Sequence, residues 1–102
     1  MNTIFDLAQR ITKVEHPYIK NSLTNLGIVT DIDLEDDLVQ LEFVWPFPNI
    51  PIREELINSI ENVVKDLGFK ISFTERIMTP QEKNEFLVLE KSGWKGKPKV
   101  KV

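Results

Sequence analysis

The sequence predicts an α+β fold with two layers, in which helices pack on a small mixed sheet of three strands. Three stretches carry apolar residues at helical spacing, and three shorter stretches alternate apolar with polar residues. Proline, glycine or clustered acidic residues separate these stretches. The predicted order is α-β-β-α-β-α without an internal repeat, and 102 residues suffice for one domain with one core.

The first helix is predicted to begin at Thr3 as N-cap and to end at His16-Pro17, because the residue before a proline avoids the α region. A connector follows it and closes at Gly27. The buried stripe predicted on this helix consists of Ile4, Leu7, Ala8, Ile11 and Val14. The simplest interpretation of His16 is a helix-terminating residue, with an imidazolium favoured near the carbonyl end of the helix.

Two strands, residues 28–34 and 38–45, are predicted next, joined by the turn "EDD". The turn lacks an Asn-Gly type signal, so its type stays open. Every second side chain should face the core. These inward positions are Ile28, Ile32 and Leu34 in the first strand, and Val39, Leu41, Phe43 and Trp45 in the second.

A helix over residues 52–68 and a third strand over 69–75 are predicted to follow the second strand. Gly68 supplies a left-handed stop for this helix. Its apolar face consists of Ile52, Leu56, Ile60, Val63, Val64 and Leu67, and the inward strand residues are Phe69, Ile71 and Phe73.

The last helix has a strong start signal. Thr79 is its predicted N-cap, Pro80 occupies the first helical position, and Glu82 completes a capping box. Phe86, Leu87 and Leu89 are its predicted core residues. Residues 1–93 are therefore assigned to the domain, and residues 94–102 to a basic C-terminal tail.

Composition excludes several function classes. The net charge is −3, and because residues 91–102 hold five lysines and no acid, residues 1–90 carry −8. An acidic body opposes binding to phosphate backbones, so no nucleic-acid partner is expected. No apolar run approaches the length of a membrane span, and no secretion signal is evident, which predicts a cytoplasmic protein without a membrane partner.

The residues offer no convincing catalytic or metal site. His16 is the only histidine, no serine has the flanking glycines of a nucleophile elbow, and the chain has no cysteine. The acidic run at 31–42 resembles an EF-hand loop superficially, but Asp36 occupies the position that needs glycine. We therefore expect no enzyme activity, no metal and no cofactor, and rank a divergent enzyme last.

The stretch "WPFPNIPI", residues 45–52, is the candidate binding loop. Its prolines limit the entropy lost on docking, and its large apolar side chains are suited to anchoring a partner. The following helix N-terminus is a latent anion site. The candidate residues are Trp45, Phe47, Pro48, Asn49, Ile50 and Pro51.

Three segments, "VEHPYI" (14–19), "LTNLGIV" (23–29) and "FPNIPI" (47–52), occur in an order and spacing typical of one family. Over roughly residues 4–77 the sequence resembles the small iron–sulfur cluster assembly domain of PaaD-like and SufT-like proteins, which is also the leading domain of Mrp-type ATPases. The resemblance implies the same scaffold and involvement in metal–sulfur cluster biogenesis. The glycine-containing loop of KH domains, which have a related element order, is missing.

The chain departs from the family pattern at four positions. His16, Tyr18 and Asn25 replace acidic residues, and Ile50 stands where the family has the cysteine that is held responsible for its chemistry. We therefore expect Ile50 to rule out thiolate ligation of a cluster at this position. His16, Pro17, Asn25 and Gly27 are supporting site residues.

The resulting hypothesis is a non-catalytic adaptor of iron–sulfur cluster assembly that acts through protein contacts of the 45–52 loop. The partner would belong to the assembly machinery, either a P-loop ATPase or a client apoprotein, and a homodimer is left open. The alternative is a regulatory module that binds a small molecule or an anion with the same loop and helix N-terminus.

Overall fold

The computed structural model describes residues 4–95 and shows the predicted α+β fold. The elements are α1 (Ile4–Thr12), β1 (Val29–Glu35), β2 (Leu38–Trp45), α2 (Arg53–Asp66), β3 (Lys70–Ile77) and α3 (Pro80–Gly93). The sheet order is β1-β2-β3, in which β2 pairs antiparallel with β1 and parallel with β3. Within the described residues, no helix has both the length and the apolar character needed to span a bilayer.

The core lies between the helices and one face of β2. The inward residues predicted for this strand are all buried, and Phe43 packs edge-on against Phe73 of β3 with ring centroids 5.1 Å apart. The helices contribute buried side chains at helical spacing: Leu7 and Ile11 from α1, and Leu56, Ile57, Ile60 and Val64 from α2. Gly68 ends α2 with φ of +87°, which confirms the predicted left-handed stop.

The predicted first helix is too long and one of its core residues is wrong. It ends at Thr12 rather than at His16, because the chain turns into a short antiparallel bridge between Glu15 and Ser22. Ile4, the first residue of the helix, is 40% exposed and does not belong to the core. The proposed N-cap Thr3 lies outside the described residues.

The pattern predicted for β1 is interrupted by a β-bulge. Thr30 pairs with Glu42 and Asp33 with Gln40, so two residues of β1 face Leu41 alone. Asp31 takes the extra position with φ of +54°. Ile28 is fully buried as predicted, although it directly precedes β1, and Val29, which pairs with Phe43, is buried as well.

The last helix begins as predicted and packs on the connector between α1 and β1. The Thr79–Glu82 capping box is present, with Pro80 in the first turn, and Phe86 is fully buried. At its other end Gly93 accepts a hydrogen bond from the Lys20 N–H at 2.7 Å. A Cβ atom at Gly93 would lie 3.2 Å from the Ile19 side chain and 3.3 Å from the Lys20 backbone, so this close approach favours glycine.

Two further residues continue these contacts. Trp94 forms a bridge with Ile19, and the Lys95 N–H donates to the Tyr18 carbonyl at 3.0 Å. The connector is thus fixed between the core and the C-terminal end of α3.

Candidate functional site

The candidate loop 45–52 is anchored in the core at its first residue. Trp45 is 4% exposed, and its ring stacks on that of Phe43 with centroids 5.4 Å apart. Its Nε1–H donates to Glu75 Oε1 at 3.0 Å, which satisfies the polar atom of this buried indole. Trp45 is therefore a core residue that fixes where the loop leaves the sheet.

Glu75 also connects the sheet to the start of α2. Arg53 donates from Nε to Oε1 and from its terminal nitrogen to Oε2, both at 2.7 Å. This bidentate pair, with the hydrogen bond from Trp45, holds the pKa of the Glu75 carboxyl below its ordinary value. Both ends of the loop are thus tied to β3.

The middle of the loop combines half-buried and exposed apolar groups. Phe47 is half-buried, and Lys83 Nζ lies 4.5 Å from its ring centroid in a cation–π contact. Ile50 is also half-buried and packs against the core. Pro48, Asn49 and Pro51 are exposed. The loop therefore presents rigid apolar surface without a charged side chain of its own.

A shallow groove of about 550 Å³ runs between this loop and α3, and we call it the loop–α3 groove. Its lining is Pro46, Pro48, Ile77, Met78, Pro80, Lys83, Asn84 and Leu87. Leu87 is 36% exposed although its sequence position had predicted burial, because α3 directs Phe86 rather than Leu87 into the core. No sequence signal identified this groove, since it depends on how α3 crosses the end of β3.

The charge at the start of α2 does not favour an anion site. Its N-cap residue Ile52 provides no side-chain cap. However, Glu54 and Glu55 lie in the first turn, and the Arg53 guanidinium is already engaged by Glu75 and Glu54. An anion at this terminus would meet carboxylates before it met a free cation.

His16 is fully buried in the connector, which corrects the expectation of a cation at the end of α1. Its Nδ1 accepts a hydrogen bond from the Tyr18 N–H at 3.0 Å, so the proton of the neutral ring lies on Nε2. Nε2 is buried and has no hydrogen-bond partner among the described residues. Burial, with a smaller effect of the Lys95 charge, lowers the pKa of His16 to about 4. The imidazole is therefore neutral at pH 7.

The other supporting residues shape the connector. Asn25 donates from Nδ2 to Asn21 Oδ1 at 2.7 Å, and its backbone N–H donates to Ser22 Oγ. Gly27 has φ of +81°, a conformation that favours glycine, and Pro17 is half-buried. The contacts just described for His16 and Asn25 lie within the connector and at the end of α3, whereas those of the 45–52 loop involve β3 and the start of α3.

Nitrogen and sulfur ligands for metals are scarce in the sequence, and potential ligands are not clustered in the part of the chain that the structure describes. The sequence contains no cysteine, and in the part that the structure describes no three residues of the types His, Cys, Asp and Glu form a group able to hold a metal ion. Ile50, which was expected to replace the family's cysteine, is half-buried and packs against the core.

The sequence matches a known protein family over more than half of its length. A family model described as "Iron-sulfur cluster assembly protein" matches residues 6–71. The matched segment includes the connector with His16 and the whole 45–52 loop, while Ile77, Met78 and α3, which line the other side of the loop–α3 groove, lie beyond it. No curated protein matches the chain.

Proposed function

Because the chain belongs to the iron–sulfur cluster assembly protein family, we propose that it is a non-catalytic adaptor in this process. It binds a protein partner through the 45–52 loop and the adjoining loop–α3 groove. Two kinds of partner suit this role, a P-loop ATPase of the assembly machinery and a client apoprotein that receives the cluster. The proposed place of action is the cytoplasm.

The observation that carries this proposal is the apolar surface of the loop. Pro48 and Pro51 are exposed, and Phe47 and Ile50 are half-buried, while Trp45 anchors the start of the loop in the core. The groove beside it adds Ile77 and Leu87, both more than one third exposed. Contiguous exposed apolar surface of this kind is typical of protein–protein contact sites.

The absence of cysteine supports an adaptor rather than a cluster carrier. Iron–sulfur clusters are held chiefly by thiolates, and this chain has none to offer. Its one histidine is buried with Nδ1 already accepting a hydrogen bond from Tyr18. The thiolates that hold the cluster during transfer would therefore come from the partner, and this chain would contribute binding and orientation.

Affinity capture tests the proposal. Tagged wild-type protein should capture a component of the iron–sulfur assembly machinery, identified by mass spectrometry, from the cells in which it is native. The double variant Phe47→Ala, Pro48→Ala should lose that component, because it removes two apolar anchors from the loop.

The matched control is Phe5→Ala on α1, where the ring is 80% exposed and distant in sequence from the loop. Equal capture by the wild type and the loop variant would show that the partner binds another surface. Capture of proteins unrelated to cluster assembly would refute the adaptor role.

A further inference from the structure

The strand β3 forms an edge of the sheet with its outer side unpaired. It lies last in the order β1-β2-β3, and its ladder with β2 is continuous from Lys70 to Ile77 without a bulge. The N–H groups of Lys70 and Met78 bond to Asp37 and Trp45 on the β2 side. Since these directions alternate along a strand, the N–H and C=O groups of Ile71, Phe73, Glu75 and Ile77 point outward.

This edge lacks the protection that the opposite edge shows. The bulge at Asp31 breaks the regularity of β1, and exposed acidic residues surround its outer end: Asp31, Asp33, Glu35, Asp36 and Asp37. Bulges and charges are the usual means by which edge strands avoid pairing with another chain. β3 has neither a bulge nor a proline, and its charged residues Glu75 and Arg76 form ion pairs with other side chains of the same chain.

Glu75 is paired with Arg53, and Arg76 bonds to Glu42 at 3.0 Å and to Glu82 at 2.7 Å. Another strand could therefore approach β3 without burying an unpaired charge from this pair.

The core is also incompletely covered along β3. Val39 and Leu41 in β2 are buried, whereas their pairing partners Ile71 and Phe73 in β3 are only half-buried, and Ile77 is 47% exposed. Apolar area at the sheet edge would be removed from water if the sheet continued beyond β3.

We propose that the occupant of this edge is a second copy of the chain, paired antiparallel through β3 about a two-fold axis at Thr74. The observations select this register because it pairs every outward-pointing residue of the strand. Ile71 then faces Ile77 of the second copy, and Phe73 faces its Glu75. This inference does not rest on the proposed function, although Ile77 belongs both to the loop–α3 groove and to the proposed dimer interface.

Side-chain chemistry agrees with this register. The exposed Ile77 gains an apolar partner in Ile71 of the second copy, and Ser72 lies opposite Arg76, so no like charges meet. Shifting the pairing by two residues, with the axis at Phe73, would place Lys70 opposite Arg76, which is unfavourable. The β1 edge would bring two acidic clusters together in an equivalent self-pairing.

Cysteine cross-linking tests the register, because the wild-type chain contains no cysteine. Thr74 is exposed and would form a non-hydrogen-bonded pair with its own copy, with Cβ atoms about 5 Å apart. In the Thr74→Cys variant, mild oxidation with diamide should give a disulfide-linked dimer at low protein concentration. The matched control is Ser72→Cys, exposed on the same strand face, whose two copies would be offset by about 13 Å along the strands.

The expected result is cross-linking on the order of tenfold faster at position 74 than at position 72, since only position 74 meets disulfide geometry. Equal rates at the two positions, or a faster rate at 72, would overturn the proposed pairing.

Sedimentation velocity of the cysteine-free protein provides an independent test. Wild-type protein should sediment as a dimer, and Ile77→Lys should raise the dissociation constant by about tenfold or more, because it removes an apolar pair and places a charge in the interface. Val88→Lys is the control, since Val88 is 68% exposed on α3. A monomer at all concentrations up to about 1 mM, or equal dissociation constants for both variants, would refute the proposal.

Discussion

Replacing Trp45 tests how the candidate loop is attached to the core. The indole is 4% exposed, stacks on Phe43 and donates a hydrogen bond to Glu75. A buried tryptophan removes on the order of 200 Å² from water, which at about 25 cal/mol per Å² corresponds to about 5 kcal/mol. Because alanine retains part of this area, Trp45→Ala should lower the free energy of unfolding by about 3–5 kcal/mol.

The Trp45→Phe variant tests the contribution of the indole N–H separately from that of the aromatic ring. It preserves an aromatic ring next to Phe43 but removes the donor to Glu75, whose carboxylate keeps the bidentate contact with Arg53. The expected loss is about 1–2 kcal/mol, the range of one hydrogen bond plus a smaller ring.

Urea denaturation followed by far-UV circular dichroism measures these differences, with Phe47→Ala and Ile50→Ala as comparison variants. Both side chains are half-buried, so each change should cost about 1–2 kcal/mol. If either loop variant destabilises the protein as much as Trp45→Ala, the loop is part of the core and the division between anchor and binding surface is wrong.

Two further predictions concern His16 and Ile50. The pKa of His16 is lowered from 6.5 to about 4 in the folded protein, so the unfolded chain binds more protons between these two pH values. The stability that depends on neutral His16 is therefore fully present above pH 6.5 and falls as the pH drops towards 4. At pH 5 the free energy of unfolding should be lower by about 2 kcal/mol. The pKa of Glu82 is lowered to about 2, mainly by Arg76, and Glu82 loses its contribution to stability only below about pH 4.5. Urea titrations at pH 7 and pH 5 therefore measure the effect of His16. If the His16→Gln variant lost as much stability between pH 7 and pH 5 as the wild type, the assignment to His16 would be refuted. Ile50→Cys should fold, because Ile50 is only half-buried. Its thiol should titrate at or above about 8.5, because Glu54 and Glu55 in the first turn of α2 disfavour a thiolate there; a thiol pKa below that value would show that the start of α2 does favour an anion.

Elements with explicit start and stop signals were predictable from sequence. Thr79, Pro80 and Glu82 form the predicted capping box, and Gly68 adopts the predicted left-handed conformation. These signals are local, because a cap depends on residues within one turn of the helix. The alternating residues of β2 were also predicted correctly, since one face of this central strand is covered by the helices.

Features that depend on packing between distant segments were not predictable in the same way. The bulge at Asp31 has no glycine to mark it, and it became evident only from the pairing of β1 with β2. The complete burial of His16 depends on the connector being held by the end of α3, about 75 residues later in the chain. A histidine before a proline carries no sequence signal for that environment.

The candidate loop could be predicted from sequence, whereas the groove beside it could not. Its prolines and apolar residues identified it from sequence, and the structure places Pro48 and Pro51 at the surface while Trp45 belongs to the core. The exposed side chains of Ile77 and Leu87 were missed, because the groove that they line forms only when α3 crosses the end of β3.

We propose that the 45–52 loop acts in iron–sulfur cluster assembly by binding a protein partner. The most direct measurement is the activity of an iron–sulfur enzyme in cells of the native host from which the gene has been deleted, after return of wild-type or variant protein. We expect deletion to reduce this activity, and wild type and Phe5→Ala to restore it equally. The double variant Phe47→Ala, Pro48→Ala, present at the same level, should fail to restore it. Full restoration by the loop variant, or no effect of the deletion, would contradict the account.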